Sequence, residues 1–260
     1  MSSFLSKTVL FSSLTLAVCQ VNAQSLLDAS YVSLKVGSSH VSTKHEVHHV
    51  DINETNEIQN GSRTNLSHSV DQSSGSVTNN KTNVSGAIAY GLDFSKISNI
   101  PVRTEIEYAN SGKLNTTKTA KDDEGDVKVL QSIKSKTLFL NNYYDFKNST
   151  KFTPYLTAGL GVAFNKVGST YREKDEDDSS FNSKSNNFAW NVGAGVAYEI
   201  MKNTSLDLSY RFVDAGKVSK RFSEEEISLD DNEETIYRGD SSYKTRIKSH
   251  NIMIGLRYTF

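Results

Sequence analysis

The sequence predicts an all-β fold: an eight-stranded antiparallel up-and-down transmembrane β-barrel with four long surface loops and three short periplasmic turns. Three observations predict it. Apolar and polar residues alternate with period two in separate segments, the pattern of strands with one apolar face. The connections alternate strictly between short and long. The last segment, 252–260, puts Ile252, Ile254, Leu256, Tyr258 and Phe260 on one side, so the chain ends on an aromatic that continues an apolar face. A closing barrel strand ends this way. Past the N-terminal region no apolar run is long enough for a membrane helix, and a negative mean hydropathy does not exclude a barrel whose strands touch lipid on one face only.

The first element is a leader over residues 1–23, followed by the barrel over 24–260. Lys7 supplies a basic start, 8–18 is a short apolar run, and Val21-Asn22-Ala23 is a small-residue cleavage site. Leu16-Ala17-Val18-Cys19 approaches a lipobox, but Val18 stands where a small residue belongs, so cleavage after Ala23 is expected. Cleavage removes the only cysteine, leaving no disulfide and no thiolate metal site. It also removes one of 29 basic residues and none of the 30 acidic ones, for a net charge near 28 − 30 = −2. That balance offers nucleic acid no general attraction.

The strands follow in order. Segment 31–36 sets Val32, Leu34 and Val36 against Ser33 and Lys35; 84–94 sets Ile88, Tyr90 and Leu92 against Ala87, Ala89, Gly91 and Asp93. Segment 102–108 alternates Ile106 and Tyr108 with Arg103, Glu105 and Glu107. Charges at every second position of an apolar frame suit the polar interior of a barrel better than a dry core. Segments 137–146, 155–164, 188–200 and 205–212 repeat the pattern, with Asp145, Glu199, Asp207 and Arg211 on the inward rows. Asn142 interrupts the outward row of the fourth. Inward glycines in the fifth and sixth leave room for long neighbours. The short connections are 95–101, 147–152 and 201–204; the long ones are 37–83, 109–135, 166–187 and 214–246. A soluble barrel of the same strand count would have to turn its aromatics inward and its charges out.

The strands at 155–163 (Tyr155-Leu156-Thr157-Ala158-Gly159-Leu160-Gly161-Val162-Ala163), 190–198 (Trp190-Asn191-Val192-Gly193-Ala194-Gly195-Val196-Ala197-Tyr198) and 206–211 resemble the opacity (Opa-like) family of outer-membrane proteins. The last strand, 254–260, is similar to the same family and to the wider OmpA/OmpX-like group. The resemblance covers the strands and not the long loops. It implies the outer membrane of a Gram-negative bacterium and a surface-exposed adhesin whose loops meet a host receptor or glycan. It also implies lipid and lipopolysaccharide neighbours, insertion by the barrel-assembly machinery, and a monomer. Leu256, Tyr258 and Phe260 form the barrel-closing C-terminal signal. The alternative is a small porin-like channel passing ions or small solutes through the lumen.

Candidate residues fall into two sets. The lumen row collects Lys35, Asp93, Arg103, Glu105, Glu107, Asp145, Glu199, Asp207, Arg211 and Arg257. Four cations among six anions suggest a wet, ion-paired filling that disfavours a wide pore and leaves room at most for a small cation or water leak. The loop set is aromatic: Tyr171, Phe181, Phe222, Tyr237 and Tyr243 are the available anchors for a receptor. No enzyme, cofactor or dedicated metal site is expected. His45-Glu46-Val47-His48-His49 matches the zinc-protease pattern, but in an extended chain Glu46 points away from His45 and His49. The stretch is expected to be a hydrated loop. Ser249 and His250 are adjacent on a strand and face opposite sides, which prevents an easy Ser–His pair. The acidic runs at 175–178, 224–226 and 230–234 lack the spacing of a calcium loop. Loop one, rich in Ser, Thr, Asn and His, is expected to be mobile.

Overall fold

A computed structural model describes residues 23–59, 62–122, 125–172, 179–230 and 233–260; apart from Ala23, the expected leader lies outside the described residues. The elements are α1 (Ala23–Ala29), β1 (Ser30–Gln59), β2 (Ser62–Asp93), α2 (Ser95–Ser98), β3 (Val102–Asp122), β4 (Gly125–Asp145), β5 (Phe152–Arg172), β6 (Ser179–Met201), β7 (Thr204–Asp230) and β8 (Glu233–Thr259). The eight strands close in sequence order, each antiparallel to the next, and β8 returns to β1 from Tyr31↔Thr259 onward.

The period-two reading sets the faces. Leu34, Ile88, Leu208 and Ile254 project outward, 66, 61, 51 and 53% exposed, whereas Glu105, Arg211 and Met253 on the alternate rows are 2, 5 and 3% exposed. Outward aromatics mark the rims: Tyr144 packs on Phe146, Phe152 on Tyr198, Trp190 on Phe212, and Tyr258 on Phe260. The C-terminus is fixed by the Phe260 N–H, which donates to the Ser30 carbonyl at 3.0 Å. Leu256, Tyr258 and Phe260 all face out, each about half exposed.

The four long connections differ from expectation. A strand needs about ten residues to cross a bilayer. The strands here run from 21 to 32 residues, so the sheet continues well beyond the membrane. Most of 37–83, expected as a mobile loop, is a hairpin paired from Ser30↔Leu92 out to Gln59↔Ser62, and His45 to His49 lie in β1 rather than in a hydrated loop. Beyond Val41 both faces of this extension are mostly polar, so no sustained apolar alternation announces it. The backbone pairing itself supplies the order.

Two bulges divide the extension. In β3, Gly112 takes φ +69 while its N–H donates to Asn110 Oδ1 at 3.1 Å; in β7, Gly216 takes φ +80 and its N–H donates to Asp214 Oδ1 at 3.0 Å. Glycine tolerates that left-handed backbone without a Cβ penalty. The β2–β3 pairing stops at Gly86↔Asn110 and the β6–β7 pairing at Trp190↔Asp214, whereas the other seams continue toward the tips. Above the bulges the cylinder therefore opens into two four-stranded sheets, β7-β8-β1-β2 and β3-β4-β5-β6.

Candidate functional site

The inward rows of the periplasmic half converge on one charge network. Lys35 on β1 reaches across the bore: its Nζ donates to Glu105 Oε1 at 2.5 Å, to Glu107 Oε2 at 2.6 Å and to the Tyr143 hydroxyl at 3.2 Å. Arg211 on β7 closes the other side of Glu107 with two bonds, 2.7 and 3.1 Å. The Tyr143 and Tyr31 hydroxyls donate to Glu105 at 2.8 and 3.3 Å. Below them Arg103 grips Asp145 through two bonds of 2.7 and 2.8 Å, its guanidinium 4.5 Å from the Tyr143 ring centre and 5.1 Å from that of Tyr155. Arg257 lies 3.7 Å from Asp207 and over the Tyr31 ring. A charge this deep is tolerable only when paired, and each carboxylate here meets a cation.

Eight of the ten expected lumen residues belong to this cluster. The other two do not. Asp93 sits at the periplasmic rim, where its Oδ1 accepts from the Ser95 N–H and hydroxyl at 3.0 and 2.6 Å. Glu199 is exposed at the mouth of β6. Tyr31, Tyr143 and Tyr155, all absent from the expected charge set, complete the cluster. The signal for Tyr31 and Tyr155 was legible, because each has a glycine beside it on the neighbouring strand. A Cβ at Gly91 would strike the Tyr31 ring, and one at Gly195 the Tyr155 ring. Gly159 likewise makes space for the contact between Asn141 and Asn191, whose amide donates over Gly159 to Asn141 Oδ1 at 2.9 Å.

On the cell-surface side the interior changes character. Val41, Leu114, Ile133, Phe139, Val213, Val218 and Ile247 form a buried apolar layer from wall to wall. The bore expected to be wet and ion-paired throughout is ion-paired below and largely apolar above. Five of these residues extend the odd-numbered inward rows, while Leu114 and Val218 enter by the change of phase at the two bulges. The ion pairs and the apolar layer both narrow the bore that the porin-like alternative would need.

Above the apolar layer the inward face continues along the β7-β8-β1-β2 sheet and gathers three of the five expected loop anchors. Lys220 pairs directly with Tyr243, and Tyr243 with Val47. The Phe222 and Tyr243 rings meet edge to face at 5.7 Å, and the Lys220 ammonium lies 4.4 Å from the Phe222 ring centre. Tyr237 follows further out on the same row of β8. Phe222, Tyr243 and Tyr237 are 38, 43 and 46% exposed. His49 flanks them, bonded to Ser241 at 2.7 Å and Asp51 at 2.9 Å. The side chains of Tyr171 and Phe181 lie outside the described residues.

The two hydrolase-like motifs stay apart in space. His45 and His49 turn toward Thr245 and Ser241 of β8, while Glu46 lies on the opposite face against Lys44 at 2.8 Å. Ser249 is buried, whereas His250 faces outward with its Nδ1 2.7 Å from the Tyr210 hydroxyl and its ring against Phe212.

Comparison with known proteins places this architecture. Residues 9–260 match the family described as outer membrane protein beta-barrel domain. The chain is similar to the outer membrane protein PagN of Salmonella typhimurium, with 34% identity over 67% of this chain and 72% of that protein. It is also similar to a candidate adhesin of Rickettsia conorii, with 27% identity over 70% of each chain. Among solved structures, the outer membrane protease OmpT of Escherichia coli aligns with 90% of this chain and 97% of its own, at 11% identity and a TM-score of 0.44. These matches do not single out the opacity branch within the barrel family. The chain belongs to the outer membrane protein β-barrel domain family and resides in the outer membrane of a Gram-negative bacterium.

Proposed function

We propose that the protein is a non-catalytic surface adhesin that holds a host receptor or glycan against the inward-continuing face of its β7-β8-β1-β2 sheet. The observation that carries this reading is the grouping of Lys220, Phe222 and Tyr243 on one exposed face, with Tyr237 beyond them. Half-exposed aromatic rings beside a cation are the usual make-up of a binding hot spot. Flat rings can stack on sugar faces, and the ammonium suits an acidic sugar or peptide. The filled barrel acts as a rigid pedestal for that face. The similarity to a Rickettsia conorii candidate adhesin supports the same reading. Removal of residues 1–23 as an export leader, insertion by the barrel-assembly machinery and a monomeric state belong to the proposal.

The experiment is adhesion of host cells to bacteria displaying the protein. Joint Phe222→Ala and Tyr243→Ala replacement should reduce adhesion by about tenfold or more, since a single hot-spot side chain contributes about 2 kcal/mol. His250→Ala should leave adhesion unchanged, and neither His49→Ala nor His250→Ala should abolish any substrate cleavage. Adhesion untouched by the aromatic pair, or substrate cleavage abolished by either histidine change, would overturn the proposal.

A further inference from the structure

The register sets cations directly opposite one another on the outward face, just above the lipid-facing band. In the β3-β4-β5-β6 sheet Lys113 pairs with Lys134, Lys134 with Lys166, and Lys166 with Lys184, so a row of four lysines crosses every strand. In the other sheet Lys217 pairs with Arg246, and Arg246 with Lys44, while Lys244 and Lys248 flank Arg246 along β8. Their outward direction follows from their buried neighbours: Ile133 and Ser135 beside Lys134, and Asn165 and Val167 beside Lys166. The Lys248 ammonium lies 6.0 Å from the ring centre of outward-facing Phe212.

Like charges directly opposite on neighbouring strands stand about 5 Å apart at Cβ and destabilise the sheet. Little offsets that repulsion here. Along the β4, β5 and β6 outward rows the next residues are Ser132 and Lys136, Phe164 and Gly168, and Asn182 and Asn186, none of them acidic. In the other sheet, among the described residues, two carboxylates answer five cations: Glu46 at 2.8 Å from Lys44, and Asp214 at 3.7 Å from Arg246. The Lys44 hydrogen bond and charge, with help from Lys217, hold the Glu46 carboxyl below its ordinary range. Among the described residues both sheets thus carry uncompensated positive charge just past the lipid-facing band.

That height identifies the counter-charge. Lys166 lies one step past outward Phe164, and Lys184, Lys134 and Arg246 lie two steps past Phe188, Leu138 and His250. At about 3.3 Å per residue this is roughly 7 to 13 Å along a tilted strand, the level of the headgroups. The side chains point sideways, toward neighbouring lipid, and not toward the tips where a soluble ligand would arrive. We propose that the two rows form a cationic collar that binds the phosphate groups of surrounding lipopolysaccharide. The inference rests on the outer-membrane location and is independent of the adhesin reading.

The test is thermal unfolding of the refolded protein in phosphatidylethanolamine vesicles, with and without purified lipopolysaccharide, read by heat-modifiable gel migration. Lipopolysaccharide should raise the midpoint by several degrees, and the same lipid stripped of its phosphates should not. The variant K113Q/K134Q/K166Q/K184Q should bind lipopolysaccharide roughly tenfold more weakly or worse. Without lipopolysaccharide that variant should be at least as stable as the parent chain, because the repulsion is gone, so loss of binding is distinguishable from loss of fold. Equal stabilisation by phosphate-free lipid, or undiminished binding by the variant, would overturn the proposal. So would stabilisation by soluble heparin with no response to lipopolysaccharide, which would assign the collar to a sulfated polymer.

Discussion

Glu107 is the side chain on which the bore's charge balance turns, since it is buried and engaged by Lys35 from one wall and Arg211 from another. Glu107→Ala would leave two buried cations short of their shared partner. Breaking one member of a buried pair costs about 3 to 5 kcal/mol, so the urea midpoint for unfolding from vesicles should fall sharply. Paired replacement of Glu107 and Lys35 by residues of similar volume should cost less than Glu107→Ala alone. Gly195 offers a second check at this scale. Gly195→Val would drive a branched side chain into the Tyr155 ring and the Leu208 carbonyl, at a cost of about 1 to 3 kcal/mol. At the residue scale most of the lumen set was legible in the sequence, because a charge on the inward row of an apolar strand has few other places to go. Tyr31 and Tyr155 were missed because an aromatic at a strand end also suits a membrane-interface girdle. Only the glycines across from them separate the two readings.

Among the elements, the two glycine bulges shape the part of the molecule that meets the outside. Each frees its strand from one neighbour, and each changes the phase of the inward row, bringing Leu114 and Val218 into the apolar layer. Gly112→Ala and Gly216→Ala should each cost about 1 to 2 kcal/mol from the left-handed backbone alone. Crowding against Asn83 and Asn187 adds to that cost. Hydrogen exchange should show the loss concentrated at the β2–β3 and β6–β7 seams. The eight membrane-crossing segments were legible from period two, and the short turns came within a residue or two of their observed ends. The extensions were not legible. Segments such as 67–83 are mostly Ser, Thr and Asn on both faces, so they give no sustained hydrophobic period and no local reason to prefer one register. Their register is inherited from the barrel below, by zipping outward from strands already paired.

The whole molecule is a closed cylinder whose bore holds paired ions and, above them, an apolar layer, and it carries two open sheets above the membrane. Planar-bilayer recordings of the refolded protein should show no steady conductance above the bare lipid. Discrete ohmic steps abolished by Lys35→Ala or Arg211→Ala would instead reveal a path through the charge network. Stiffness matters for a pedestal, because a face held in one shape loses less entropy on binding. The central claim beneath all of this is geometric: in each membrane strand the even-numbered side chains meet lipid and the odd-numbered ones fill the bore. Spin labels placed singly at positions 251 to 257 of β8, with Cys19 replaced, test it most directly. Labels at Ile252, Ile254 and Leu256 should be relaxed by lipid-soluble oxygen, while those at Asn251, Met253 and Gly255 should be shielded from it; uniform or inverted accessibility along the strand would contradict the account.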